Sequence, residues 1–284
     1  MTTQIFQAKT LASPLCFEGI GIHSGQAVTL RCLPSEDLDL GLYVVRCDQH
    51  DHIVPVTPHN FCSTKRASEL RYKGVSVYTP EHLLSACHAL GISHARFELS
   101  AAEFPIMDGS AQPFFEAFEK AGVKTLASEL SPISPTSPFE IRDHQARIDV
   151  SPSTSFRISY TLDYPDHFIG QQVWTGDLRA DTYGREIAAA RTYGFYNEVQ
   201  ALYDQNLAKG GSMDNAVIIG DDDYMTALRF PDELVRHKVL DLIGDLWVLQ
   251  RPLQMHVRCF KSGHEANRLL VHALQKWIDS SSDS

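Results

Sequence analysis

No run of apolar residues in this chain approaches the roughly 20 that a membrane-spanning helix needs. The opening MTTQIFQAKTLASPL has neither the basic flank nor the apolar centre of a secretory leader. A cytoplasmic setting is therefore expected. Cysteine pairs are missing as well: the six cysteines, at 16, 32, 47, 62, 87 and 259, include no CxxC. That removes a zinc ribbon and a redox dithiol, and leaves small core or edge thiols in a reducing compartment. Positive charge is scarce, with Lys+Arg 25 against Asp+Glu 35 and a formal net charge of -10. No general nucleic-acid footprint is expected, although a few local Lys or Arg would serve a phosphate-bearing small ligand. What the chain does have is 284 residues and 43% hydrophobic content, enough for one large or two medium globular domains.

Residues 5 to 60 alternate short β-like runs (AVTLRCL, GLYVVRC, HIVPV) with turn residues, which predicts an antiparallel sheet. Within them GIGIHSG, 19 to 25, has GxGxxxG spacing and no helical pattern after it, so it is not a dinucleotide loop but a tight turn carrying His23. DQHDH at 48 to 52 reads as a hydrated loop between strands rather than a metal site. VSVYTPEHLLSACHALG, 75 to 91, predicts a helix with Thr79 as N-cap, Pro80 as first residue and Gly91 as stop. A strand HARFELS, a turn PIMDGSA and a helix AQPFFEAFEKAG follow. After a Ser/Pro-rich stretch the succession repeats: strands (ARIDVSP, SFRISYTLDY), a helix at 231 to 249, a strand LQMHVRCF and a helix through NRLLVHALQKWI. The fold expected is α+β, two similar two-layer α/β-sandwich domains of duplicated plan with a cleft between them. The expected boundaries are 1–128 and 139–278, with a linker at 129–138, an inserted strand–helix–strand unit at 190–219 and a disordered tail at 279–284.

The stretch around which the chain is organised, FPDELVRHKVLDLIGDLWVL at 230 to 249, carries Val235, Val239, Leu242, Leu246 and Leu249 on one helical stripe. A second stripe holds Glu233, His237, Asp241 and Asp245 at four-residue steps, flanked by Leu240, Ile243 and Trp247. Ionisable groups enclosed in that way must be paired, protonated or bound to a metal. A neutral His and a carboxylate one turn apart can chelate a divalent cation, yet the same spacing is also that of ordinary helix ion pairs. Glu81 and His82 fall in the first turn of the earlier helix, where the dipole disfavours a cationic imidazole and favours a ligand one. Capping alone would also account for Glu81.

The motifs GIGIHSG, TPEHLLSA, PIMDGSAQPF, ARTYGF, GGSMDNAV, LRFPDELVRHKVLDLIGDL and KSGHEAN occur in one order from about residue 8 to 275. Together they resemble UDP-3-O-acyl-N-acetylglucosamine deacetylase, the zinc hydrolase of lipid A synthesis in Gram-negative bacteria. The resemblance implies a ribosomal protein S5 domain 2-like sandwich in each half and zinc ligands at His82, His237 and Asp241, with iron(II) the alternative ion. It implies Glu81 as general base, His264 as protonated proton donor held by Asp245, and Thr192 as the hydroxyl facing the oxyanion. Lys238, Lys261, Tyr193, Gly194 and His23 become expected substrate contacts, and the insertion the acyl-chain passage. Tyr193 stands where the family has Phe, and Trp247 where it has Tyr; both keep a ring. The expected substrate is acylated UDP-N-acetylglucosamine, the expected state a monomer. A zinc amidohydrolase acting on another N-acyl sugar or a peptide is the first rival. A non-catalytic binding protein is the second, and the presence of both Glu81 and His264 argues against it.

Overall fold

The computed structural model describes residues 6–64, 67–198 and 208–282. Strand β1 (Phe6–Leu11) pairs antiparallel with β10 (Val123–Leu130). The first large sheet runs in the order β2 (Leu15–Ile20), β3 (Ala27–Pro34), β9 (Ala95–Leu99), β4 (Leu42–Arg46), β5 (His52–Pro55). Alternation built it: Val28, Leu30 and Cys32 point inward from β3 while their neighbours stay near solvent. The second large sheet runs β11 (Phe139–Asp143), β12 (Ala146–Pro152), β17 (Met255–Phe260), β13 (Phe156–Tyr164), β14 (Gly170–Asp177). Phe156, Ile158, Tyr160 and Leu162 of β13 are its buried face.

The two sheets have one plan. In each, the last strand inserts between the second and the third, antiparallel to one and parallel to the other. Phe97 thus lies opposite both Cys32 and Val44, and Val257 opposite both Val150 and Ile158. A one-residue slip would turn these side chains to the wrong face. The duplication expected from sequence is present, and the strand pairs within residues 5 to 60 are antiparallel as expected; the sheet becomes mixed only where β9 joins it parallel to β4. The reason is that β9 arrives after a helix, and a helical crossover delivers a strand parallel to its neighbour.

Helix α1 (Glu81–Leu90) precedes β9 and α2 (Gln112–Ala121) follows it, as α4 (Glu233–Leu246) precedes β17 and α5 (His264–Ser282) follows it. Each half adds its own piece: a three-stranded sheet of β6 (Phe61–Ser63), β7 (Ser68–Tyr72) and β8 (Val75–Tyr78) in the first, and α3 (Ala180–Glu186) with the parallel pair β15 (Tyr193–Phe195) and β16 (Val217–Ile219) in the second. The short helix expected between β15 and β16 falls largely on 199–207, outside the described residues. Strand β10 carries on through Glu129 and Leu130, and α5 continues past Asp279 to Ser282. Ile133, in the irregular connection that follows β10, is buried and bridges to Leu253.

Thr79 is not the cap of α1. Its φ of +59° turns it out of the capping geometry, and its hydroxyl donates to Glu103 instead, at 3.2 Å. The helix starts at Glu81 after Pro80 and ends, as the sequence predicts, at Gly91 with φ +72°. Helices α1 and α4 pack directly on each other. Gly244 permits it, since a Cβ there would collide with the carbonyl oxygen of Glu81. Every residue of α4 is buried except Arg236 and Lys238, so the polar stripe of this helix is enclosed with the apolar one.

Candidate metal and catalytic site

The contact at Gly244 sets the first turn of α1 against the last turn of α4, which brings together residues more than 150 positions apart in sequence. His237 Nε2 lies 3.3 Å from Asp241 Oδ1, and His82 Nε2 lies 3.8 Å from the same oxygen. The two imidazole rings meet edge to face, centroids 5.1 Å apart. One donor atom from each of His82, His237 and Asp241 falls within 4.8 Å of the others, and all three residues are buried. Among the described residues this is the one such group of three or more His, Cys, Asp or Glu; DQHDH at 48 to 52 does not form another.

These residues fit a divalent cation. The Nδ1–H of His237 donates to the carbonyl of Ala190 at 3.1 Å, which puts the proton on Nδ1 and turns the Nε2 lone pair inward. His82 Nδ1 is buried without a hydrogen-bond partner among the described residues, and 3.8 Å from its Nε2 to Asp241 is too long for one. Burial, with His237 beside it, pushes the His82 imidazole down to about 3, and burial also lowers His237. For both, enclosure favours the uncharged imidazole that a metal requires. Burial acts upward on Asp241, but His237, Lys238, His264 and His82 together hold its carboxyl well below the usual carboxylate range. Two imidazoles and one carboxylate so placed are a donor set that a divalent cation accepts.

Around this triad stand the other expected groups. His264, the first residue of α5, has Nδ1 2.9 Å from Asp245 Oδ2, while its Nε2 faces Glu81 Oε1 at 4.0 Å and Asp241 Oδ2 at 3.9 Å. Burial works against the charged imidazole, but Asp245 and its hydrogen bond, then Asp241 and Glu81, raise it to about 9. Glu81 is pushed up to about 8 by burial, with His264 opposing and Asp245 and Asp241 adding to the rise. Its Oε2 has no hydrogen-bond partner among the described residues. Lys238 Nζ contacts Asp241 Oδ2 at 2.9 Å and lies over the Tyr193 ring at 5.3 Å.

A cavity of about 460 Å³ opens over the triad and takes in Glu81, His264, Thr192, Tyr193, Gly194, Lys238 and His23. Away from the charged groups its walls are apolar, with Ile22, Ile106, Phe195 and Ile218. Lys261 is the exception among the expected contacts. It is not among the lining residues, and its Nζ pairs with Asp163 at 3.2 Å.

Comparisons with known proteins place the chain in a family. The sequence profile of UDP-3-O-acyl N-acetylglycosamine deacetylase matches residues 8–276. The chain belongs to that deacetylase family. A relative from Leptospira biflexa serovar Patoc, named UDP-3-O-acyl-N-acetylglucosamine deacetylase, is 39% identical over 277 residues, 96% of this chain and 91% of the relative. One of the same name from Syntrophotalea carbinolica is 35% identical over 273 residues, 95% of this chain and 88% of the relative.

Several residues of this family member complete the site without having been singled out by its sequence. The Ser68 hydroxyl donates to Asp245 Oδ1 and lies 3.1 Å from His264 Nδ1, and Asn267 donates to Asp245 Oδ2 at 2.8 Å. Buried Glu103 accepts the backbone N–H groups of His23 and Ser24, each at 2.9 Å, as well as the Thr79 hydroxyl. It ties the glycine turn to the residues just ahead of α1. Nothing in the motif SELRY marks Ser68; Glu103, two residues before the PIMDGSA turn, had a motif neighbour as its only signal.

Proposed function

We propose that this protein hydrolyses the N-acetyl group of UDP-3-O-acyl-N-acetylglucosamine, releasing acetate and the free amine, with one zinc ion held by His82, His237 and Asp241. The observation that carries the reading is the placement of Glu81 and His264 beside the enclosed triad, their side chains 4.0 Å apart. Zinc bound there supplies a Lewis acid next to the acetyl carbonyl and the attacking water. The rest is work for the side chains. Glu81 accepts a proton from the water as its oxygen bonds to the acetyl carbon. Thr192, lining the same cavity, donates its hydroxyl to the oxygen on which negative charge develops. His264, held charged by Asp245, delivers a proton to the nitrogen as the C–N bond breaks, so the amine leaves neutral. Lys238 keeps Asp241 ionised, and Tyr193, Gly194 and His23 shape the wall that meets the sugar.

The apolar wall of Ile22, Ile106, Phe195 and Ile218 favours an acylated nucleotide sugar over a simpler N-acetyl compound. The test is an assay of acylated and unacylated UDP-N-acetylglucosamine side by side, with metal analysis of the purified protein. Release of acetate from the acylated form alone, with one zinc per chain, supports the reading. Equal rates on the two would support an amidohydrolase of different specificity, and iron in place of zinc would revise the ion.

A further inference from the structure

Glu233, the first residue of α4, is fully enclosed, and the metal chemistry described above gives it no task. Its carboxylate accepts N–H donors from two places. Arg191 supplies its backbone N–H at 3.0 Å, Nε at 2.9 Å and Nη2 at 3.2 Å, and Arg229 supplies its backbone N–H at 2.6 Å. Arg191 in turn reaches the carbonyl of Ala227 at 2.6 Å.

The partners matter because of what stands beside them. Residues 190–192 have no regular secondary structure, so hydrogen bonds from elsewhere must fix their backbone. The Ala190 carbonyl accepts His237 Nδ1–H, the Thr192 N–H donates to Gly109, and the Thr192 carbonyl accepts Val217 N–H. Ala189 is held from the other side by Arg229 Nη1 at 3.0 Å. Glu233 is the anchor in the middle of this run, and it sits one helical turn before His237 on the same helix.

We infer that the buried Arg191–Glu233 pair is a positioning device: it registers residues 190–192 against α4 so that one flank of Arg191 orients the His237 imidazole and the other presents Thr192 to the cavity. The inference rests on the reading of His237 as a ligand and Thr192 as a hydroxyl donor. Packing alone does not account for the pair. Two charges removed from water stabilise a fold no better than apolar side chains of similar volume. Such side chains, however, would leave the Arg191 and Arg229 N–H groups without acceptors and residues 190–192 free to shift. Displacements of about 1 Å are enough to cost 100-fold in rate where a reacting group is held.

The test uses the full-length protein with Arg191→Lys, Glu233→Gln and the double substitution Arg191→Met with Glu233→Leu. Zinc affinity is measured by competition with a chelating dye, kcat and KM on the acylated nucleotide sugar, and stability by thermal unfolding. Glu233→Gln and the double variant should bind zinc about 10- to 100-fold more weakly, as loss of groups that orient metal ligands does. Their kcat should fall while KM stays near that of the parent. Arg191→Lys, which keeps the charge but not the fork, should fall between. The double variant leaves no unpaired charge, so it decides the matter if Glu233→Gln does not fold, and Arg191→Lys decides it if neither does. Recovery of zinc affinity and kcat together with stability in the double variant would make the pair a packing element and overturn the inference. So would folded variants that bind zinc as the parent does. The dye competition needs no substrate: a parent that binds zinc tightly but leaves the nucleotide sugar intact refutes the proposed reaction, and the fate of this pair is still read from metal affinity.

Discussion

His264 Nδ1 and Asp245 Oδ2 are 2.9 Å apart, and the same carboxylate is held by Ser68 and Asn267. The imidazole is thereby turned so that Nε2 faces Glu81 and Asp241. A bell-shaped dependence of kcat/KM on pH follows, because Glu81 must be ionised and His264 charged at once. Activity rises as pH passes the Glu81 midpoint and falls as it passes that of His264, which stand at about 8 and about 9 in the metal-free protein. A bound cation favours the carboxylate and disfavours the imidazolium, so both limbs lie at lower pH in the metal-loaded enzyme. Asp245→Asn removes the main group raising His264, and the alkaline limb should move down by roughly 1–3 pH units. An alkaline limb that does not move would take His264 out of the proton-donor role.

Glu81→Gln should keep the metal and lose turnover. The amide cannot accept the proton of water, and losses of general base catalysis are roughly 100- to 10,000-fold. Zinc content measured alongside kcat checks this; turnover near that of the parent would remove Glu81 from the reaction.

His237→Ala should fail to retain metal through dialysis, whereas His264→Ala should retain it and lose only rate. The two residues differ in what holds them. His237 is oriented by Ala190 and faces Asp241, while His264 is oriented by Asp245. A His237→Ala protein at full zinc occupancy would show the ligand set to be wrong.

Gly244→Ala tests the helix contact that assembles the site. The added methyl meets the Glu81 carbonyl, and backbone cannot yield as a flexible side chain does. Overpacking of this kind costs about 1–3 kcal/mol, so denaturant midpoints should fall and zinc affinity should weaken with them. A variant with parental stability would mean the helices can separate without consequence.

Part of the candidate site was legible because several of its groups lie at helical spacing on one helix. His237, Asp241 and Asp245 share a stripe whose neighbours are apolar, and that alone raises the question of what pairs them. The duplicated order of strands and helices could likewise be read from alternation and breakers. The position of β9 between β3 and β4 could not, since strand order depends on contacts that a linear pattern does not record. Gly244 looks like any helical glycine until α1 is laid on it. Ser68 is 177 residues from Asp245, with no periodicity connecting them. Lys261 lies three residues before His264 in one motif, yet it follows β17 at φ +51° and its ammonium pairs with Asp163, a partner that the motif does not announce. Thr79 shows the limit of local rules, since a residue suited to capping was claimed by Glu103 from a distant loop.

The most direct test is to strip the purified protein with a chelator, then follow acetate release from the acylated nucleotide sugar as zinc is returned. The account predicts no turnover without metal and recovery that saturates at one zinc per chain, with His237→Ala unable to recover. Undiminished turnover by protein shown to be free of metal would contradict it.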